Sequence, residues 1–151
     1  MPDHFDIAIL REVQLNAKIT VKELSEKVNL SPTPVFERLR KLEKEAYILG
    51  YHGRLNPQKL GFNLTVMCYV SLRNHQQDLI ERFQEAVIGL EEVRACYHIA
   101  GMYDYLLKVV VKDMDSYQKF VSTKLASLEN IGNVQSSFVM QELKSELGIP
   151  V

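Results

Sequence analysis

Apolar side chains recur at helical spacing in the N-terminal part of the chain and at strand spacing further on. Ile9, Leu10 and Val13 share one face behind Phe5, and Asp6 is a good N-cap for a first helix that breaks near Asn16 and Lys18. Thr20 and Glu23 have the spacing of a capping box, in which each side chain satisfies a backbone donor of the other. Val21, Leu24 and Val28 then form an apolar stripe, Ser25 is small where another helix must pass, and Asn29 suits a left-handed helix end. A third helix is predicted from Ser31 as N-cap. Pro32 and Pro34 fall in its first turn, where neither proline removes a helix bond. Val35, Leu39 and Leu42 face inward, so Phe36, Glu37, Arg40 and Lys41 point elsewhere and Arg38 lies at the stripe's edge. Residues 47–55 flank glycines with β-type side chains, which predicts a hairpin or wing. Asn56-Pro57 and Gly61 mark a linker, placing a domain boundary near Gly61.

Beyond it, strand and helix alternate. Residues 64–73, 93–100, 105–112 and 134–143 read as strands. Residues 77–88 read as a helix with Leu79, Phe83 and Val87 every four positions, and Asp113 or Asp115 caps another that carries Tyr117, Val121, Leu125 and Leu128. The order βαββαβ predicts a ferredoxin-like antiparallel sheet with two helices on one face. Val66, Cys68 and Val70 alternate with Met67 and Tyr69, so both faces of the sheet look apolar. An uncovered apolar face calls for a partner, and two copies packed sheet to sheet would supply it. The fold class expected is α+β: an N-terminal winged helix-turn-helix over residues 1–61, then a ferredoxin-like βαββαβ domain over residues 62–151.

Composition refines this picture. Hydrophobic and charged shares of 46% and 25% are those of an ordinary globular protein, so two small cores are within reach. The net charge of -1 conceals an asymmetry: residues 1–60 hold ten basic and eight acidic side chains, the remainder eight and eleven. The acidic remainder argues against nucleic acid wrapping the whole molecule. Cys68 and Cys96 each sit in an apolar stretch and read as free buried thiols, which suits a reducing cytoplasm. No signal peptide precedes Asp6, and no apolar run approaches the ~20 residues needed to span a bilayer, so a cytoplasmic location without a membrane partner is expected.

A helix entered through Ser-Pro-Thr-Pro and studded with arginines, behind a tight turn, suits the major groove of double-stranded DNA. Arg38, Arg40, Lys41 and Arg54 are candidates for phosphate or base contact. Ser31 and Thr33 offer hydroxyls to a phosphate at the helix N-terminus. Phe36 suits a thymine methyl, and Glu37 either reads a cytosine amine or orients an arginine. The bland alternative is a solvated face with Lys41 paired to Glu37 and Glu45, and Arg40 to Glu37 and Glu43.

The chain resembles the Lrp/AsnC family of bacterial and archaeal transcription regulators. The resemblance rests on Asp6, Ile9 and Leu10, on LSPTPVFERLRKLE from Leu30 to Glu43, and on Ile48, Gly50, Tyr51, Asn56-Pro57 and Leu60-Gly61. It continues through Gly101-x-x-Asp104-Tyr105-Leu106-Leu107 and FVMQELK from Phe138 to Lys144. Ala46 departs from the glycine usual after the recognition helix, and Ser136-Ser137 replaces a threonine-rich strand start. The resemblance implies homodimers assembling to tetramers or octamers, with a small amino acid as effector where dimers meet and no other cofactor.

Candidate residues for that effector follow. Backbone N–H groups of Ala100, Gly101 and Met102 suit an α-carboxylate, and Asp104 an α-ammonium. Met102 and Tyr103 would line a side-chain pocket bordered by Gln135, Ser136 and Ser137. Turn capping is the plainer role for Asp104, and packing the plainer role for His98. Cys96 and His98 lack an orienting carboxylate, no hydrolase, phosphate-loop or zinc motif occurs, and no third metal ligand stands at suitable spacing, so no enzyme is expected. A sequence-specific regulator modulated by an amino acid is one reading. The other is a ligand-independent architectural DNA-binding protein.

Overall fold

The computed structural model describes residues 1–145 and 148–151. The chain forms two compact units, Met1–Leu55 with Lys144–Val151, and Asn56–Leu143.

The first unit is built on α1 (His4–Leu15), α2 (Val21–Val28) and α3 (Pro32–Lys44). Helix α1 starts earlier than the sequence reading placed it. Asp3 is the N-cap, accepting from the N–H groups of Phe5 and Asp6, while Asp6 returns the bond to the Asp3 N–H. Asp3-x-x-Asp6 offers a capping box, and the reciprocal bonds favour it over Asp6 alone. Thr20 and Glu23 make the expected second box, and Asn29 ends α2 in the left-handed conformation at φ 54°. Ile9, Val13, Leu24, Val28, Val35 and Leu42 form the core, with Leu39 packed against it.

Ala46 sits at φ 58°, and Tyr47 N–H reaches back to Leu42 O at 2.9 Å, closing α3 in the manner usually reserved for glycine. The hairpin expected over residues 47–55 is not formed: that segment has no strand pairing among the described residues. A lone two-stranded ribbon is marginal in water, and this segment contributes only Ile48 to the packing around the core.

The second unit opens with the 3-10 turn Gln58–Leu60, closed by Gly61 at φ 82°. It continues through β1 (Leu64–Leu72), α4 (Gln77–Ile88), β2 (Val93–His98), β3 (Tyr105–Val111), α5 (Met114–Lys119) and β4 (Ile131–Phe138). The sheet is antiparallel in the order β2-β3-β1-β4, the ferredoxin-like arrangement. Phe83 and Val87 from α4, and Tyr117, Phe120 and Leu125 from the second helical segment, cover the face carrying Val66, Cys68, Val70, Leu107 and Val109. Each such side chain contributes roughly 1.5–3 kcal/mol on burial.

Strands β1, β2 and β3 end one or two residues before the expected 73, 100 and 112, and two elements differ further. The second helical segment widens into a π-helical turn at Phe120–Leu125, so Tyr117, Phe120 and Leu125 are the buried positions instead of every fourth residue. Strand β4 runs over Ile131–Phe138 and not 134–143, because its partner β1 is met from Leu72 back to Val66. Gly132 permits the early start. A Cβ there would lie 3.1 Å from Ser71 O, beside the bulge between Ser71 and Leu72.

Candidate functional site

The first candidate surface is the outer face of α3. Ser31 has the extended backbone of an N-cap, but its side chain makes no cap bond. The N–H that would commonly donate to it belongs to the third helical residue, which here is Pro34. The Ser31 hydroxyl is thereby left without a bond to the helix it caps. Thr33, Glu37 and Lys41 are exposed along the same helix. Phe36 is 48% exposed and lies under the Arg40 guanidinium, 5.7 Å from ring centroid to Cζ. Among the described residues no ion pair holds Arg40, Lys41 or Arg54, so the solvated ladder with Glu37, Glu43 and Glu45 is not formed. Glu43 instead accepts from the Tyr51 hydroxyl at 2.7 Å, and burial followed by this carboxylate pushes that phenol up to about 12.

Arg38 does not belong to this row. Its Nη1 donates to Asp3 Oδ2 at 2.7 Å and to Asp6 Oδ1 at 2.6 Å, and its guanidinium lies over the Phe5 ring. Hydrogen bonds to Asp6, then to Asp3, raise its already high pKa. The guanidinium is held inside the unit because the edge of the buried stripe faces two carboxylates.

The second candidate surface is the Ala100–Asp104 loop before β3. Gly101 has φ 139°, and nothing lies within 4 Å of where a Cβ would be. Backbone conformation, not crowding within the chain, therefore demands glycine there. Met102 is 89% exposed. Asp104 Oδ2 accepts the Leu72 N–H at 2.6 Å and Oδ1 meets His75 Nε2 at 2.9 Å. The Leu72 bond, then the His75 partner, hold the Asp104 carboxyl below its usual value against the opposing pull of desolvation. Tyr103 donates to Gln135 Oε1 and its ring rests 5.5 Å from Tyr69.

The strand register separates the three β4 candidates. Gln135 and Ser137 lie opposite Tyr69 and Met67, whereas Ser136 lies opposite Cys68. Ser136 points to the helix-covered side, where its Oγ and the Tyr117 hydroxyl are 2.5 Å apart and Cys68 Sγ is 3.1 Å from that hydroxyl. Burial raises both the Cys68 thiol and the Tyr117 phenol. Ser136 is thus brought to a buried network and not to Tyr103.

No local spacing signals His75 as partner of Asp104, Tyr117 as partner of Ser136 or Asp3 as partner of Arg38; only the capping role of Asp3 is legible, in Asp3-x-x-Asp6. Cys96 is free like Cys68 but only half-buried, and His98 stacks on Tyr105 at 4.9 Å. Among the described residues no cluster suits a metal ion, and no helix is long and apolar enough to cross a membrane. Two shallow grooves of about 400 and 390 Å³ flank the sheet edges, one along α4 and β2, the other along Leu125 and the start of β4. Neither is lined by residues of the 100–104 loop.

A helix-turn-helix with an unspent cationic face, joined in one chain to a ferredoxin-like domain, defines the class of DNA-binding transcription regulators. Residues 2–48 match the winged helix-turn-helix DNA-binding family, and residues 65–149 match the Lrp/AsnC ligand binding domain. The chain is 42% identical over 142 residues to the leucine-responsive regulatory protein of Haemophilus influenzae, covering 94% of this chain and 86% of that one. It is 41% identical over 147 residues to the proline dehydrogenase transcriptional activator of Rhizobium radiobacter, covering 97% and 94%. A Neisseria meningitidis transcriptional regulator solved as a complex with L-Met is 36% identical with a TM-score of 0.96, covering 99% of this chain and 97% of that one. The chain belongs to the Lrp/AsnC family. It is a transcription regulator and not an enzyme.

Proposed function

We propose that the protein is a sequence-specific regulator whose DNA binding or assembly responds to a small amino acid. The observation that carries the DNA half is that Ser31, at the N-cap of α3, and Thr33, Arg40 and Lys41 on it make no ion pair or side-chain hydrogen bond among the described residues. In this reading the cations, with Arg54, neutralise phosphates, and Phe36 and Glu37 meet base edges in the major groove. Expected partners are double-stranded DNA and further copies of the same chain, first as a homodimer and then as a tetramer or octamer. The half-exposed open face of the sheet, with Met67, Tyr69, Leu106 and Val110, supports that pairing.

For the effector, the Ala100–Met102 N–H groups receive the carboxylate and Asp104 the ammonium. Asp104 remains suited to this although it is already bonded. A carboxylate offers about four acceptor positions, two of which go to Leu72 and His75. Gln135 and Ser137 border the same face. The two grooves at the sheet edges both leave out the loop, which favours a site completed by a second copy. The relative solved with L-Met supports an amino acid as the ligand class. The engaged state of Asp104 is the one observation favouring a ligand-independent architectural role.

A thermal-shift panel of the twenty amino acids at millimolar concentration separates the two. A ligand at a hundredfold excess over its dissociation constant adds about 2.7 kcal/mol, which is readily seen. A shift for one class of amino acid, absent in Asp104→Ala, is expected. No shift for any would favour the architectural role.

A further inference from the structure

Asp6 is the one buried carboxylate in the described residues of the first unit, with a side chain only 6% exposed. It and Asp3 divide their oxygens between two tasks. Asp3 Oδ1 and Asp6 Oδ2 close the capping box of α1, while Asp3 Oδ2 and Asp6 Oδ1 both accept from Arg38 Nη1 on α3. Arg38 therefore brings a positive charge to the N-terminus of α1, where the helix dipole repels it, and the two carboxylates reverse that cost. The Phe5 ring, 5.5 Å from Cζ, completes the seat.

We propose that Arg38 is a positioning residue for DNA recognition. Clamped to Asp3 and Asp6, it fixes the rotation of α3 against α1, and with it the direction of Phe36, Arg40 and Lys41, and makes no DNA contact itself. The physical reason is that a buried carboxylate strongly disfavours loss of its partner, so turning α3 enough to release Arg38 is costly. The proposal rests on α3 being the DNA-reading helix.

The test uses the full-length protein and a duplex recovered by selection from a random-sequence pool, with affinity measured across a range of salt concentrations. Asp6→Asn is expected to weaken binding about tenfold although it removes a negative charge. Arg38→Gln is expected to weaken it similarly while leaving the slope of log affinity against log salt unchanged, and the double variant to be no worse than either single one. An arginine that contacts phosphate predicts the reverse: Asp6→Asn strengthens binding, and Arg38→Gln lowers the salt slope by about one. Either result would overturn the clamp.

Arg38→Lys guards against a variant that fails to fold. It keeps the charge but reaches one carboxylate less well, so intermediate affinity with wild-type helical circular dichroism is expected. Full wild-type affinity in Arg38→Lys would contradict the proposal. Arg40→Ala reports on the underlying reading separately: it should lower the salt slope by about one, and an unchanged slope there would remove α3 from the DNA, whatever Arg38 does.

Discussion

On α3 the Ser31 hydroxyl and the Arg40 and Lys41 cations form no ion pair or side-chain hydrogen bond among the described residues, whereas the polar side chains around Gly101 are largely taken. Asp104 is held by Leu72 and His75, and Tyr103 by Gln135. The helix face keeps these groups without such partners, Ser31 in part because Pro34 has no N–H to donate to its hydroxyl oxygen. The loop is braced by those bonds, with Met102 left exposed at its tip. On the function proposed above, one chain would carry the whole DNA-reading element but only part of the ligand site.

The largest expected effect tests whether the two regions stand on separate cores. Leu107→Ala opens a cavity in the sheet core and should cost about 2–5 kcal/mol. Hydrogen exchange should then report lost protection in β1, β3 and α4, with α1 to α3 unchanged. Equal loss in both regions would mean that the division into two cores is wrong.

Next in size is Asp104→Ala, which strands the buried Leu72 N–H and should cost about 1–3 kcal/mol in the second unit alone. Acid sharpens the same point. Because the folded carboxyl is depressed, its stabilisation is fully present above the unfolded value near 3.8 and is lost as pH falls from there through the lower folded value. Urea midpoints of the second unit should therefore fall less steeply below pH 3.8 in Asp104→Asn than in the native chain.

On the DNA side, Thr20→Ala removes one half of the α2 capping box and should cost about 0.5–2 kcal/mol, read as lower helical stability in the first unit with no change in amino-acid binding. The smallest effect is a gain. Ala46→Gly relieves a left-handed alanine, worth ~1–2 kcal/mol, against ~0.5–1 kcal/mol of added backbone freedom. A rise of about 0.5 kcal/mol is expected. A loss there would show that Ala46 makes contacts beyond its conformation.

Features governed by near neighbours were legible in the sequence: the Thr20–Glu23 box, the left-handed Asn29, the Pro32 start of α3, the helix at Gln77–Ile88 and the βαββαβ order. Long-range partnership was not. From the sequence alone Asp6 reads as an N-cap and Arg38 as a DNA-contact candidate, and their mutual bond is invisible there because nothing local announces that residues 32 positions apart share a hydrogen bond. Ser136 was grouped with Gln135 and Ser137 although alternation along a strand sends it to the opposite face, and its pairing with Cys68 follows from a register that neither strand encodes alone. His75 lies just beyond β1, and only the folded sheet brings it to Asp104.

The measurement that bears most directly on this contrast is the affinity of the full-length protein for L-methionine and L-leucine, taken with the light-scattering mass over a series of protein dilutions. A DNA face complete in one chain and a ligand site completed by a second predict that amino-acid affinity falls as the mass drops toward that of a single chain. A monomer that binds either amino acid undiminished would contradict the account.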